Sequence, residues 1–302
     1  MRFTVFTPTY NRAELLWDLY HSLCRQTFRD FEWIIVDDGS TDNTAAVVQE
    51  MQSLNPFFPI IYKKVPNGGK HRAWNLGVDM ASGELFFGCD SDDYLTDDAL
   101  EIADKIEKTI PLNERDLYAG ICGLKGDKSS QIIGKTFDGE DIRDMTYLER
   151  SQNNAIGDKS EVFYSAVWKK YKYQEFEGEN FITEATSLYR MALDGLKIRF
   201  FNSIIKICEY RPDGLTANSR EKFAANPKGW GLYISQRIRF RQLSGLGKWD
   251  VLTDYYEHCR DRLSILQMAR NLHQNVASYY LGVQLTKIRY RLNRLKQSVL
   301  GG

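Results

Sequence analysis

The stretch ELFFGCDSDD, residues 84–93, decides the fold. Glu84 to Cys89 is a short, mostly apolar run that reads as a buried strand, and Asp90-Ser91-Asp92-Asp93 follows it directly. The same pattern recurs three times upstream. FTVFT (3–7) runs into Pro8-Thr9-Tyr10-Asn11-Arg12, EWIIV (32–36) into Asp37-Asp38-Gly39-Ser40, and IIYKKV (60–65) into Asn67-Gly68-Gly69-Lys70-His71. Helices fit between them. Leu15, Leu16, Leu19 and Leu23 are spaced for one over 12–25, Ser40 or Thr41 caps another over 42–54, and 70–81 and 97–109 supply two more. Strands alternating with helices of this length imply a parallel α/β sheet, because each parallel crossover needs a helix on a sheet face.

The later chain is less regular. LYAGICG (117–123) reads as a strand and QIIGKTFDGED (131–141) as a hairpin or loop. Residues 180–194 read as a helix, IRFF (198–201) and IIKICEY (204–210) as strands, and the pattern turns helical from about 221. No repeat, low-complexity tract or Pro/Gly/Ser linker interrupts it.

The 302 residues are long enough to fold without disulfide or metal staples, and 43% hydrophobic with 26% charged residues is ordinary globular composition. The five cysteines form no CxxC pair and read as small buried side chains. The four histidines form no HExxH pair. Lys+Arg and Asp+Glu balance at 40 each, which implies no nucleic-acid surface. No apolar run is long enough for a spanning helix, and MRFTVFTPTYN is too short in apolar residues for a signal peptide. The expected location is cytoplasmic, or peripheral on the inner face of a membrane.

In an open α/β sheet, ligands bind at the carboxyl ends of the strands, where all four polar clusters fall. The first turn, TPTYN, has no glycine, so the dinucleotide fingerprint is absent, and GxxxxGK[ST] is absent too. Asp90, Asp92 and Asp93 offer hard oxygen ligands that repel one another unless a cation lies between them. Mg²⁺ or Mn²⁺ shared with substrate phosphates suits such a set. The blander alternative is that Asp92 and Asp93 only cap the next helix. Lys70, His71 and Arg72 open a helix after two glycines, where free N–H groups suit a diphosphate. Cations there oppose the helix dipole and need a compensating anion.

TPTYNR, VDDGSTD, NGGKHRAWNLG and DSDD, in this order, resemble the nucleotide-diphospho-sugar domain of family 2 glycosyltransferases, with the GT-A fold. The resemblance is tight over about the first 110 residues and looser to about 220. It implies a GT-A domain over 1–220, with a nucleotide-sugar-binding half at 1–110 and an acceptor half at 111–220. A helical C-terminal extension would occupy 221–302. The sheet would be Rossmann-like, mostly parallel and flanked by helices.

The resemblance also implies roles. Pro8, Thr9, Tyr10 and Arg12 would line the donor site, with Tyr10 stacking on the base. Asp38 would accept a hydrogen bond from the base, uracil being the commonest, though Asp37 is equally placed. Gly69 and Lys70 would meet the diphosphate. Asn75 would touch donor or tie loops together, and Trp74 stands where many members carry Arg. Asp92 would be the main metal ligand, Asp93 a second or water-mediated one, and Asp90 would orient the site or touch the ribose. Glu184 matches the catalytic base, with Glu in place of the usual Asp and Thr183 in place of the preceding acid; Glu179 and Glu177 are reserves. Asp158 reads as a turn residue or an acceptor contact, Arg211 as a cation closing over the phosphates, and Trp230 as an acceptor wall or simple packing.

Seven cations and no acid follow Asp261, so residues 1–261 carry a net −7. Leu281, Leu285, Ile288, Leu292, Leu295 and Val299 form one helical stripe, with five cations on or near the opposite face. A basic amphipathic helix can lie on an anionic membrane. Packing on the domain, or against a second copy in a homodimer, is the other reading. The function expected is an inverting, Mn²⁺- or Mg²⁺-dependent transfer from a nucleotide-sugar, UDP-linked by preference, to a glycan or lipid-linked glycan. The rival is a catalytically silent nucleotide-sugar-binding or scaffold protein. A nucleotidyltransferase is disfavoured because its glycine-rich first loop is missing.

Overall fold

A computed structural model describes residues 1–136, 141–153, 155, 157–208, 219–240 and 242–300, without the side chains of 219 and 294–300. Two compact units divide the chain. The first comprises Met1–Tyr173 and Ser187–Gly214, the second Gln174–Thr186 and Leu215–Gly302.

The first unit begins with β1 (Phe3–Thr9), α1 (Leu16–Cys24), β2 (Phe31–Asp37), α2 (Thr44–Ser53), β3 (Ile60–Lys64), α3 (Lys70–Met80) and β4 (Leu85–Gly88). It continues with β5 (Asp93–Leu95), α4 (Ala99–Lys108), β6 (Tyr118–Gly126), β7 (Ile132–Ile133), β8 (Ile142–Thr146), β9 (Lys159–Tyr164) and α5 (Ser165–Lys170). After α6 (Ala185–Leu193) comes β10 (Lys197–Cys208). The strands form one sheet in the order β3-β2-β1-β4-β9-β6-β10-β5, with β7 beside β6 and β8 beside β10.

β1 to β4 are parallel, as the alternating pattern predicts, and their register sets the site. Thr9 lies opposite Asp37, Asp37 opposite Lys64, and Phe6 opposite Gly88. All four carboxyl ends therefore reach one edge. The second half is mixed rather than mostly parallel: β9 runs antiparallel between β4 and β6, and β5 runs antiparallel to β10. The KSEVFY of β9 carries Lys159 and Glu161 among its apolar residues, so it reads poorly as a buried strand. The two expected strands at 198–201 and 204–210 are one strand, with irregular register between Phe200 and Ile204 carrying the chain across Asn202-Ser203.

Burial follows the pattern. Val5, Trp33, Ile35, Leu85 and Phe87 pack beneath Leu16, Leu19 and Leu23 of α1 and Leu100 and Ala103 of α4. On the other face α3 lies so close that an added Cβ at Gly77 would stand 2.0 Å from the Phe6 ring. The cysteines are free thiols; Cys89, Cys122, Cys208 and Cys259 are buried, as expected, but Cys24 is half-buried.

The second unit holds α7 (Ser219–Ala225), α8 (Pro227–Arg239), α9 (Gly245–Cys259), α10 (Ile265–Asn271) and α11 (Val276–Leu300). Trp230, Ile234, Leu252, Tyr255, Met268, Leu272, Tyr279 and Val283 form its core. Trp230 meets Tyr255 edge-on at 5.1 Å, so it packs. In α11 the opposite side from the expected stripe is the packed one. Lys287 and Arg289 lean back to Glu257 and Asp250 of α9 instead of forming a free basic face.

Gly77→Ala is expected to destabilise by about 1–3 kcal/mol through overpacking against Phe6. Gly247→Ala, in α9 with nothing within 4 Å of the added Cβ, should be neutral or stabilising by up to about 1 kcal/mol. Chemical denaturation of both variants checks the contrast.

Candidate active site

The loops at the carboxyl edge hold each other by side chain to backbone bonds. Asn11, just past β1, sits at φ 52°; its amide oxygen accepts from Thr41 N at 2.7 Å, and its own N–H donates to Ser40 Oγ at 2.9 Å. Asp42 accepts from Ala13 N at 3.2 Å and Thr44 N at 3.1 Å. Burial opposes its charge, but these donors and the Thr44 hydroxyl win and hold the carboxyl below its ordinary range.

Asp37 and Asp38 both work inside the scaffold. Asp37 accepts from Ser40 N at 2.7 Å and from the Tyr62 hydroxyl at 2.5 Å. Asp38 accepts from Gly68 N at 2.7 Å through one oxygen and Gly69 N at 2.9 Å through the other. Burial raises its carboxyl above the usual range, against the pull of these two donors. Asp38 is thus the clamp of the glycine loop. The two loops press so closely that an added Cβ at Gly39, at φ 84°, would stand 2.7 Å from Asn67 N.

The glycine loop opens α3 at Gly69, whose φ of 97° favours glycine. The anion that its cationic first turn needs is Asp90, bound by Lys70 Nζ at 2.6 and 2.7 Å. Arg72 closes on Gly68 O at 2.6 Å. Asn75 faces the backbone of Tyr173, donating to its O at 3.0 Å and accepting from its N at 2.9 Å, so it ties segments together. Trp74 is buried against Phe6, Phe86, Trp168 and Tyr173. An aromatic core contact therefore stands at the position where the family resemblance implies an Arg.

The aspartate turn after β4 is not a bare trio. The surrounding protein disfavours charge on Asp90, yet Lys70 and Lys206 outweigh that and draw its carboxyl down to about 2. Asp93 is buried in β5 opposite Cys208, where burial raises its carboxyl despite the nearby Lys206. Burial pushes the Cys208 thiol up to about 12. Lys206 is buried and donates to Gly88 O at 2.6 Å. Lys125 lies in the same field, its charged form favoured by Asp93 and Asp158 against desolvation. These lysines offset the carboxylates, so close spacing alone does not demand a divalent ion. The sequence reading missed both. The signal was a single Lys set into an otherwise apolar strand, in GLKG (123–126) and IIKIC (204–208).

Asp92 is different. It is half-buried, and its carboxylate has no hydrogen bond or ion pair among the described residues. Among those residues no three His, Cys, Asp or Glu side chains gather around one point. The donor set therefore fits Mg²⁺ or Mn²⁺ held by one or two carboxylates and substrate phosphates, not a closed protein cage. Nearby, Tyr10 is 47% exposed and has no ring or hydrogen-bond partner among the described residues. Pro8 and Thr9 are buried at the end of β1, and Arg12 is half-buried. Arg211 lies outside the described residues.

A family model described as "Glycosyl transferase family 2" matches residues 4–159. The chain belongs to this family. Among curated relatives, GalNAc(5)-diNAcBac-PP-undecaprenol beta-1,3-glucosyltransferase of Campylobacter jejuni is 31% identical over 191 residues, covering 61% of this chain and 58% of the relative. Chondroitin synthase of Pasteurella multocida is 40% identical over 99 residues, 33% of this chain and 10% of the relative. The matches thus span under two thirds of these relatives. Among solved structures, Staphylococcus aureus TarS 1–349 in complex with UDP-GlcNAc aligns with a TM-score of 0.64 at 19% identity, over 97% of this chain and 92% of that one. The mannosyltransferase PcManGT of Pyrobaculum calidifontis, in complex with GDP-Man and Mn²⁺, gives 0.57 at 16% identity, over 95% and 87%. These likenesses show the GT-A fold that the family motifs imply.

The base candidates belong to the second unit. Glu179 is buried and accepts from Lys228 N at 2.7 Å and Gly229 N at 2.9 Å, capping the start of α8. Glu177 is exposed. Glu184 is exposed in the turn immediately before α6. The helix expected from 180 begins at Ala185, and Asn180 N and Phe181 N both donate to Asn226 Oδ1, at 2.7 and 3.0 Å. Asp158 is exposed near Lys125 at 3.9 Å.

Replacing either loop-holding acid leaves two N–H groups unmet. Asp38→Ala and Glu179→Ala should each destabilise by about 1–3 kcal/mol, read from urea unfolding midpoints.

Proposed function

We propose that this family 2 chain is an inverting, metal-dependent glycosyltransferase using a nucleotide-diphosphate sugar. The carrying observation is the Asp92 carboxylate, unpartnered among the described residues beside lysine-bound Asp90. It stands at the same strand edge as the exposed Tyr10 and the opening of α3. UDP is the favoured nucleotide, supported by the likeness to TarS with UDP-GlcNAc. A lipid-linked glycan is the favoured acceptor, supported by the undecaprenol-linked substrate in the name of the Campylobacter relative.

Tyr10 stacks on the base, since an aromatic face suits any base. Asp38 holds Gly68 and Gly69 so that α3 begins beside the diphosphate. Asp92, with Asp90 behind it, would hold Mg²⁺ or Mn²⁺, which supplies charge compensation for the departing diphosphate. Glu184 takes the acceptor hydroxyl proton as that oxygen bonds to the anomeric carbon and the bond to the diphosphate breaks. A single displacement inverts the anomeric centre. Glu179 does not compete for the role, because both its oxygens cap α8.

A thermal-shift series with nucleotide diphosphates, with and without Mn²⁺, tests the site. UDP should stabilise the chain chiefly with metal present, and Asp92→Asn should remove the metal-dependent part. Glu184→Gln should lower turnover about 10²–10⁴-fold while leaving the UDP shift intact. Unchanged turnover would overturn the base assignment. Absence of a shift with every nucleotide would overturn the donor reading.

A further inference from the structure

We propose that α11 is a docking helix for an anionic membrane surface. Its two sides do different work. Tyr279 and Val283 are fully buried, Thr286 is buried, and Gly282 lies so close to Trp249 that an added Cβ would stand 2.1 Å from the indole. That side is the packed one, against α9. The other carries Leu281, Leu285, Ile288 and Leu292, exposed by 60%, 57%, 51% and 54%. At spacings of 4, 3 and 4 they form one stripe along three turns. Single exposed leucines are ordinary, but four large apolar side chains aligned on one helix face form a patch that needs a partner.

Charge selects the occupant. α11 contains no acidic residue, and none follows Asp261. Lys287 and Arg289 flank the packed side and are met by Glu257 and Asp250. Arg291 is exposed, and the sequence adds Arg294 and Lys296. A second copy of this face would set cations against cations with no carboxylate of its own helix to answer them. An anionic lipid surface answers both features. It takes the apolar stripe into the acyl boundary and gathers the cations at the headgroups. No helix among the described residues is long and apolar enough to cross a membrane, so the helix would lie on the surface. The inference goes beyond the transfer reaction and does not require it.

The test uses the full purified chain and sedimentation with vesicles of phosphatidylcholine alone or with about a third phosphatidylglycerol. Binding should appear with the anionic vesicles and weaken at high salt. Leu285→Ser with Ile288→Ser should reduce it about tenfold or more, with the far-UV spectrum and melting temperature unchanged because both positions are solvent-facing. Arg291→Glu should also weaken it. Three results would overturn the proposal: no binding to anionic vesicles, equal binding to neutral ones, or a dimer by light scattering that the double serine variant dissociates. The thermal-shift response to UDP and Mn²⁺ is read separately on the same variants, so loss of the donor reading cannot be mistaken for loss of this one.

Discussion

The carboxyl edge of the sheet depends on cations placed among carboxylates. Lys70 binds Asp90 through both oxygens, and Lys206 reaches from β10 to the carbonyl of Gly88. The second bond matters because Gly88 is the last residue of β4, and the turn that follows carries Asp92. A lysine as deeply placed as Lys206 loses hydration, so its ammonium needs an acceptor and nearby negative charge. Gly88 O and Asp93 supply them. The turn is thereby pinned from beneath, and of its three carboxylates only that of Asp92 has no partner among the described residues. Under the function proposed above, a metal–diphosphate pair would meet this carboxylate without first prising an aspartate from a lysine.

Aromatic packing holds α3 against the sheet at Trp74. Trp74 sits over Gly88, where a Cβ would stand 2.1 Å from the indole, and touches Phe6 and Phe86 of the sheet beneath. The helix is held down by buried surface. Its amino end is held separately, by the Asp38 carboxylate on Gly68 and Gly69. The first turn of α3 carries Lys70, bound to Asp90, and Arg72, bound to Gly68 O.

How much of this was legible follows from what each signal is made of. The first half was readable because β1, β2 and β4 are short, mostly apolar runs, each ended by a polar cluster, and parallel register then forces those clusters to one edge. The free cysteines and the buried base of the sheet followed from composition. β9 was not readable, because its partners β4 and β6 lie far away in sequence and its charged residues break the apolar run. Lys125 and Lys206 are hard to read because a lone lysine in a strand looks like a solvent-facing position; the burial of Lys206, its bond to Gly88 O and the approach of Lys125 to Asp158 show otherwise. The roles of Asp38 and Asn75 were blurred for a related reason. Sequence gives the residue type at a strand end, but whether it turns to a ligand or to the neighbouring loop depends on distances of an ångström or two.

The segment that carries Glu184, the proposed base, shows how position can be set by a distant cap. Residues 174–186 cluster with the helical unit. Asn226 accepts from Asn180 and Phe181 through one end of its amide and donates to Lys222 O at 2.7 Å through the other. Glu179 closes the start of α8 with both oxygens. Two consecutive backbone N–H groups and a buried carboxylate fix the segment five residues before Glu184, and α6 takes up the chain immediately after it. Glu184, the proposed base, follows these anchors and immediately precedes α6, and its side chain is one methylene longer than the Asp that the family resemblance implies.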